Sequence, residues 1–242
     1  MYHRGPVELA RTLYQVQIVI EDLIMPKRAL FEHRPWLLVS LAAALAFYVL
    51  RDDGLGGTWL ILLKGSACAF LAIYALMRHS STDARLLALY LALCAMADMA
   101  LELWFVVGGG LFFAAHLAGI SLYMNNRRKH VATSQKLLAA LLLTGTPLIC
   151  WLLSGDPAIG LYGLALGGMA AGAWASRFPR YRVGMGAVLF VISDFLIFAG
   201  MGPLEGSPAA QALVWPIYFL GQFLIATGVI RTLRGELKAS TE

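Results

Sequence analysis

The stretch A-D-M-A-L-E-L-W-F-V-V-G-G-G-L-F-F-A-A-H, from Ala97 to His116, decides how this chain is read. It sets Asp98 and Glu102 four residues apart in an otherwise apolar segment, then turns through three glycines into a second apolar segment that carries His116. Four residues make about one helical turn, so the two carboxylates share a face. An ionisable side chain at membrane depth costs roughly 2.5 to 3.5 kcal/mol on insertion scales, so it persists where it is paired or used. The expectation is two membrane helices, joined at Gly108 to Gly110, that carry a functional site.

Outward from this stretch the composition agrees. The chain is 60% hydrophobic and 14% charged over 242 residues, with a mean hydropathy of +0.72, more apolar than a soluble core of this size needs. Cys68, Cys94 and Cys150 all lie in apolar runs without C-x-x-C spacing, so packing explains them better than disulfides or metal. A net charge of +5 raises the question of nucleic acid. The basic residues fall in short loops between apolar runs, where topology accounts for them and no nucleic-acid partner is implied.

Eight apolar segments are predicted, at about 36 to 50, 58 to 78, 84 to 104, 109 to 125, 136 to 153, 158 to 176, 183 to 200 and 209 to 231. The expected fold is therefore an all-α integral membrane protein, a bundle of eight transmembrane helices over residues 36–232. Residues 1–35 read as a cytoplasmic segment without a signal peptide. Within it Leu9, Leu13, Val16, Ile20 and Leu23 recur at helical spacing, which predicts an amphipathic helix on the membrane surface. Residues 233–242 form a short cytoplasmic tail. Of nineteen basic residues, all but Arg51 and Lys64 lie in the segments and loops of one side, so both termini are expected to face the cytoplasm of a bacterial inner membrane.

The seventh segment repeats the theme of the third. Asp194 follows Ser193 in an apolar helix that leads into a glycine-rich turn, and the offset from Asp98 to Asp194 nearly equals that from Lys64 to Tyr162. These offsets suggest a four-plus-four internal repeat in parallel topology. With the termini inside, Lys64, Asp98, His116, Tyr162, Asp194 and Tyr218 all fall between the midplane and the outer surface, with Gln222 one turn deeper. Agreement in depth across six helices predicts one central polar cavity. Lys64 has a second reading, in which its ammonium snorkels to the near interface.

Absences narrow the chemistry. There is no G-x-S-x-G elbow, and only His116 of the five histidines lies inside an apolar span, which disfavours a serine hydrolase and a zinc hydrolase. His79 to Asp83 reads as loop polarity that caps a helix. Asp98 and Asp194 remain as the natural acid and base. Desolvation favours a neutral carboxyl and a neighbouring lysine a charged one, so different surroundings would separate the two roles, in an order the sequence leaves open. A proton-coupled transporter or channel fits the same residues as well as an enzyme does.

Several of these residues carry a family likeness. Ala97-Asp98, Leu111 to His116, Tyr162 to Met169, G-A-V-L-F-V-I-S-D from Gly186 to Asp194, and Tyr218 to Gln222 together resemble the YhhN-like lysoplasmalogenase family, over about residues 36 to 232. Ala97, Gly65 and Gly119 depart from its pattern, which more often has glycine, proline and tyrosine there. Glu102 lies outside it and reads as a possible auxiliary group. The resemblance implies hydrolysis of the vinyl ether bond of a lysoplasmalogen to a fatty aldehyde and a glycerophospho-alcohol, with no cofactor and no metal. Asp98 and Asp194 would be catalytic. Lys64 and His116 would hold the phosphate or tune the aspartates, and Tyr162, Ser193, Tyr218 and Gln222 would complete the substrate site. The implied partners are a lysophospholipid and the bilayer.

Overall fold

The computed structural model describes residues 35–52 and 56–235. The amphipathic helix predicted within residues 1–35 lies outside the described residues, as does the tail beyond Gly235.

The described residues form eight α-helices and no strand: α1 (Pro35–Leu50), α2 (Thr58–Arg78), α3 (Thr82–Leu101), α4 (Phe105–Asn125), α5 (Thr133–Ser154), α6 (Pro157–Ala175), α7 (Met185–Ala199) and α8 (Pro208–Leu233). A π-helical turn, Arg180–Gly184, runs directly into α7. Seven of these are long and apolar enough to cross a membrane, α7 together with its π turn, while α1 is shorter at 16 residues. Helix starts follow local chemistry. Ser81 accepts from the Ala84 N–H at 3.2 Å and caps α3, as the polar run before it predicts. Asp156 caps α6 with Pro157 in its first turn, directly after Gly155 ends α5 in the left-handed conformation (φ 71°).

The turn between α3 and α4 differs from expectation. It falls at Glu102 to Trp104, and Gly108 to Gly110 lie inside α4. The glycines serve packing: a Cβ on Gly108 would stand 2.6 Å from Leu101 Cγ, so a residue without one lets the two helices close on each other straight after a tight turn. Glu102 consequently sits at the end of α3, its side chain 42% exposed, and not within the span.

Helix contacts close a ring in the order α2, α3, α4, α6, α7, α8 and back to α2. Helix α1 lies outside this ring against α2 and α8, and α5 lies outside it against α6 and α7. At one end, loops tie the ring together: the Arg177 guanidinium donates to Asn126 Oδ1 at 2.6 Å and lies 3.6 Å from Asp83, and Arg128 donates to the Ser176 carbonyl at 2.7 Å. Each of the six ring helices contributes one of Lys64, Asp98, His116, Tyr162, Asp194 and Tyr218.

Candidate functional site

Small residues set where the polar side chains meet. A Cβ on Gly65 would lie 2.9 Å from the Ala95 carbonyl oxygen, so α2 approaches α3 closely beside Lys64 and one turn before Asp98. On the opposite flank, Gly186 of α7 and Gly221 of α8 face each other. A Cβ on either would come within 2.6 or 2.7 Å of the other's carbonyl oxygen. That close crossing fixes Asp194, two turns along α7, and Tyr218, one turn back along α8, in one frame.

Asp98 is buried, and its Oδ2 accepts from the Tyr218 hydroxyl at 2.9 Å. Cys68 Sγ lies 3.4 Å from the same hydroxyl. Lys64 is close enough to Asp98 for their charges to interact, and its Nζ donates to Glu102 Oε1 at 2.6 Å. The ammonium also stands 5.7 Å from the Phe47 ring and 6.0 Å from Trp215. Its charge is thus directed into the protein.

Asp194 is buried among different neighbours. Its Oδ2 accepts from the Tyr162 hydroxyl at 2.6 Å, and Ser193, whose hydroxyl donates to the Phe190 carbonyl at 2.7 Å, lies 3.4 Å from Oδ1. Behind Tyr162 stands fully buried His116, with Nε2 3.0 Å from the tyrosine oxygen. Since that hydroxyl gives its proton to Asp194, the imidazole donates from Nε2, which leaves Nδ1 bare and without a partner. The relay is walled by rings: Phe190 lies 5.0 Å from His116, and Phe198 lies 5.7 Å from Tyr162. Among the described residues no lysine or arginine forms an ion pair with Asp194.

Lys64, Asp98, Glu102, Ser193, Asp194 and Tyr218 line one cavity of about 320 Å³. Tyr162 and His116 are not on its wall but directly behind Asp194. Gln222 does not line the cavity; its Nε2 lies 3.5 Å from Cys94 Sγ. Further lining residues that the sequence did not point to as part of a site include Phe47, Arg51, Asp52, Gln211 and Trp215. Arg51 entered the sequence reading only as the one basic residue in the loops of the other side, and an aromatic residue in an apolar helix is uninformative by itself. Among the described residues no group of three His, Cys, Asp or Glu side chains is placed to hold a metal ion. Two carboxyl groups facing one sheltered cavity, each held by a tyrosine, can supply a proton on one side and accept one on the other.

The family model described as the YhhN family matches residues 59–229 of the chain. Proteins named lysoplasmalogenase from Mycobacterium bovis (strain ATCC BAA-935 / AF2122/97) and Mycobacterium tuberculosis (strain CDC 1551 / Oshkosh) are each 29% identical to it over 178 residues, which covers 68% of this chain and 68% of each relative. No solved structure matches it.

Proposed function

The chain belongs to the YhhN family, and from that premise we propose that it is a lysoplasmalogenase, which hydrolyses the vinyl ether bond of a single-chain ether phospholipid. The observation that carries the proposal is the cavity that Asp98 and Asp194 share, with the Lys64–Glu102 pair on its wall. The Lys64–Glu102 pair stands on the Asp98 side, whereas among the described residues no lysine or arginine forms an ion pair with Asp194. Asp194 is therefore assigned as the acid and Asp98 as the carboxylate.

The reaction balances with these two groups and one water. Asp194 gives its proton to the β carbon of the enol ether, and the electron pair of the C=C bond forms the new C–H bond. The resulting oxocarbenium ion is stabilised by the Asp98 carboxylate, as a glycosidase carboxylate stabilises a similar cation. Water adds to the α carbon and passes a proton to Asp98, giving a hemiacetal. Its collapse sends the Asp98 proton to the departing glycerol oxygen and the hydroxyl proton back to Asp194. Aldehyde and glycerophospho-alcohol leave, and both acids are reset.

Tyr162 and Tyr218 each hold the Oδ2 of one carboxyl, which leaves Oδ1 for the reaction, with Ser193 beside that of Asp194. His116 acts through Tyr162, positioning it and not touching substrate. Lys64 and Arg51 at the cavity wall suit a phosphate, and Gln222 supports the helix packing below. The ring order supports the finer architecture proposed here, an eight-span protein built from a four-plus-four repeat. Helices α2 and α6, α3 and α7, and α4 and α8 stand opposite one another, and α1 then makes the eighth crossing with help from its flanking residues. The loop charges support cytoplasmic termini, in an inner membrane.

The test is aldehyde release from a lysoplasmalogen by detergent-purified protein. Release by the parent protein, lost in Asp98→Asn and Asp194→Asn with unchanged helix content, supports the proposal. A folded parent that releases no aldehyde but takes up protons or solute in sealed vesicles overturns it in favour of a carrier.

A further inference from the structure

The acid cavity is too small for a whole lysolipid. A volume of about 320 Å³ holds roughly ten water-sized groups at about 30 Å³ each, enough for a headgroup and the first chain carbons. The rest of the chain cannot trail out through a polar mouth, because each methylene left in water costs about 0.8 kcal/mol. It needs an apolar path that begins at the acids.

Among the described grooves, the one between α1 and α8 provides that path. It has a volume of about 420 Å³ and is lined by Leu41, Leu45, Tyr48, Phe219, Leu220 and Phe223 among others. Trp215 lines both this groove and the acid cavity. Its ring lies 4.6 Å from Phe47, and its Nε1 donates to the Ala44 carbonyl at 3.1 Å, so the partition between groove and cavity is one layer of aromatic rings thick. Pro216 follows directly and lacks the N–H that would continue the helix ladder, which loosens α8 at that level. Further along, Leu41 and Phe223 also line a cavity of about 280 Å³ that reaches Thr227. Trp215 to Thr227 is twelve helical residues, about 18 Å, so the two grooves together follow α8 for that length. The groove among α4, α5 and α6 is larger, at about 620 Å³, yet shares no lining residue with the acid cavity.

We propose that the substrate's hydrocarbon chain lies in the seam between α1 and α8 and reaches the acids past Trp215, a placement that rests on the hydrolytic reading above. The headgroup then occupies the polar cavity while the chain stays in contact with the bilayer throughout. Trp215 and Phe47 divide the two subsites.

A non-hydrolysable alkyl-ether lysophosphoethanolamine with a diazirine near its methyl end tests this on the intact protein in lipid nanodiscs. After irradiation, label is expected on peptides that contain Leu41, Leu45, Leu220 or Phe223, and it falls severalfold when unlabelled alkyl-ether lysolipid is added in excess. Label on Phe113 or Leu161 in the α4–α6 groove, label spread over all lipid-facing helices, label that excess lipid does not reduce, or no label overturns the placement. In parallel, Leu220→Trp is expected to lower kcat/KM for a long-chain lysoplasmalogen by about tenfold, or 1.4 kcal/mol, while Leu161→Trp in the other groove leaves it unchanged. Equal effects of the two substitutions also overturn it. Displaceable label in the seam without aldehyde release would leave the chain site standing and remove the hydrolysis instead.

Discussion

The two sides of the acid cavity are built from the same parts and differ in charge. Each has a buried aspartate whose Oδ2 accepts from a tyrosine on another helix, Tyr218 for Asp98 and Tyr162 for Asp194. Each also draws on the other half of the chain, since Tyr218 of α8 serves Asp98 and His116 of α4 serves Asp194 through Tyr162. On the Asp98 side the neighbouring residue is Lys64, paired with half-exposed Glu102 near the rim. On the Asp194 side the equivalent place holds Tyr162, backed by a fully buried imidazole and phenyl rings. Two like acids thus stand in one cavity, and a lysine beside one against a tyrosine beside the other makes them unlike.

The hardest way to break the comparison is to remove either acid. Asp98→Asn and Asp194→Asn are each expected to cut kcat for aldehyde release by about a thousandfold, with thermal unfolding little changed because amide and carboxyl have the same shape. Turnover near the parent level in either variant removes that residue from the chemistry. Lys64→Met abolishes the charge difference between the sides. A loss of about 10- to 100-fold in kcat/KM is expected, the worth of a hydrogen-bonded charge, and an unchanged rate would show that the assignment of the two roles does not depend on the lysine.

Tyr162→Phe and Tyr218→Phe sharpen the comparison, each with an expected loss of about tenfold. A double-mutant cycle of Tyr162→Phe with His116→Phe is expected to be non-additive, because the imidazole reaches Asp194 only through that hydroxyl. Additive losses would mean that His116 acts by itself. The smallest effect belongs to Glu102→Gln, less than about fivefold, since a partly exposed ion pair contributes about 0 to 1 kcal/mol. A larger loss would make Glu102 part of the machinery.

How much of this was legible beforehand varies with the length scale of the signal. Long apolar runs and capping residues act locally, so seven spans, and α1 as an apolar helix, follow from the chain itself. The three glycines after Asp98 misplaced a turn, because a glycine that breaks a helix in water is also the residue that lets two membrane helices touch. The agreement in depth among six polar residues pointed to their meeting, yet not to their order. Nothing in the spacing places Tyr162 and His116 behind Asp194, or Gln222 beside Cys94.

The sequence by itself determined the chemistry in stock: which polar groups lie in apolar helices and on which helix each sits, because hydrocarbon penalises every such group wherever the helix sits. Only the tertiary structure decided who neighbours whom. Rotation of each helix about its axis is set by side chains and glycines on other helices, and that rotation puts Lys64 with Glu102, Tyr218 with Asp98 and Tyr162 with Asp194. It also brings Trp215 between a polar cavity and an apolar seam, a placement that belongs to no single stretch of the chain.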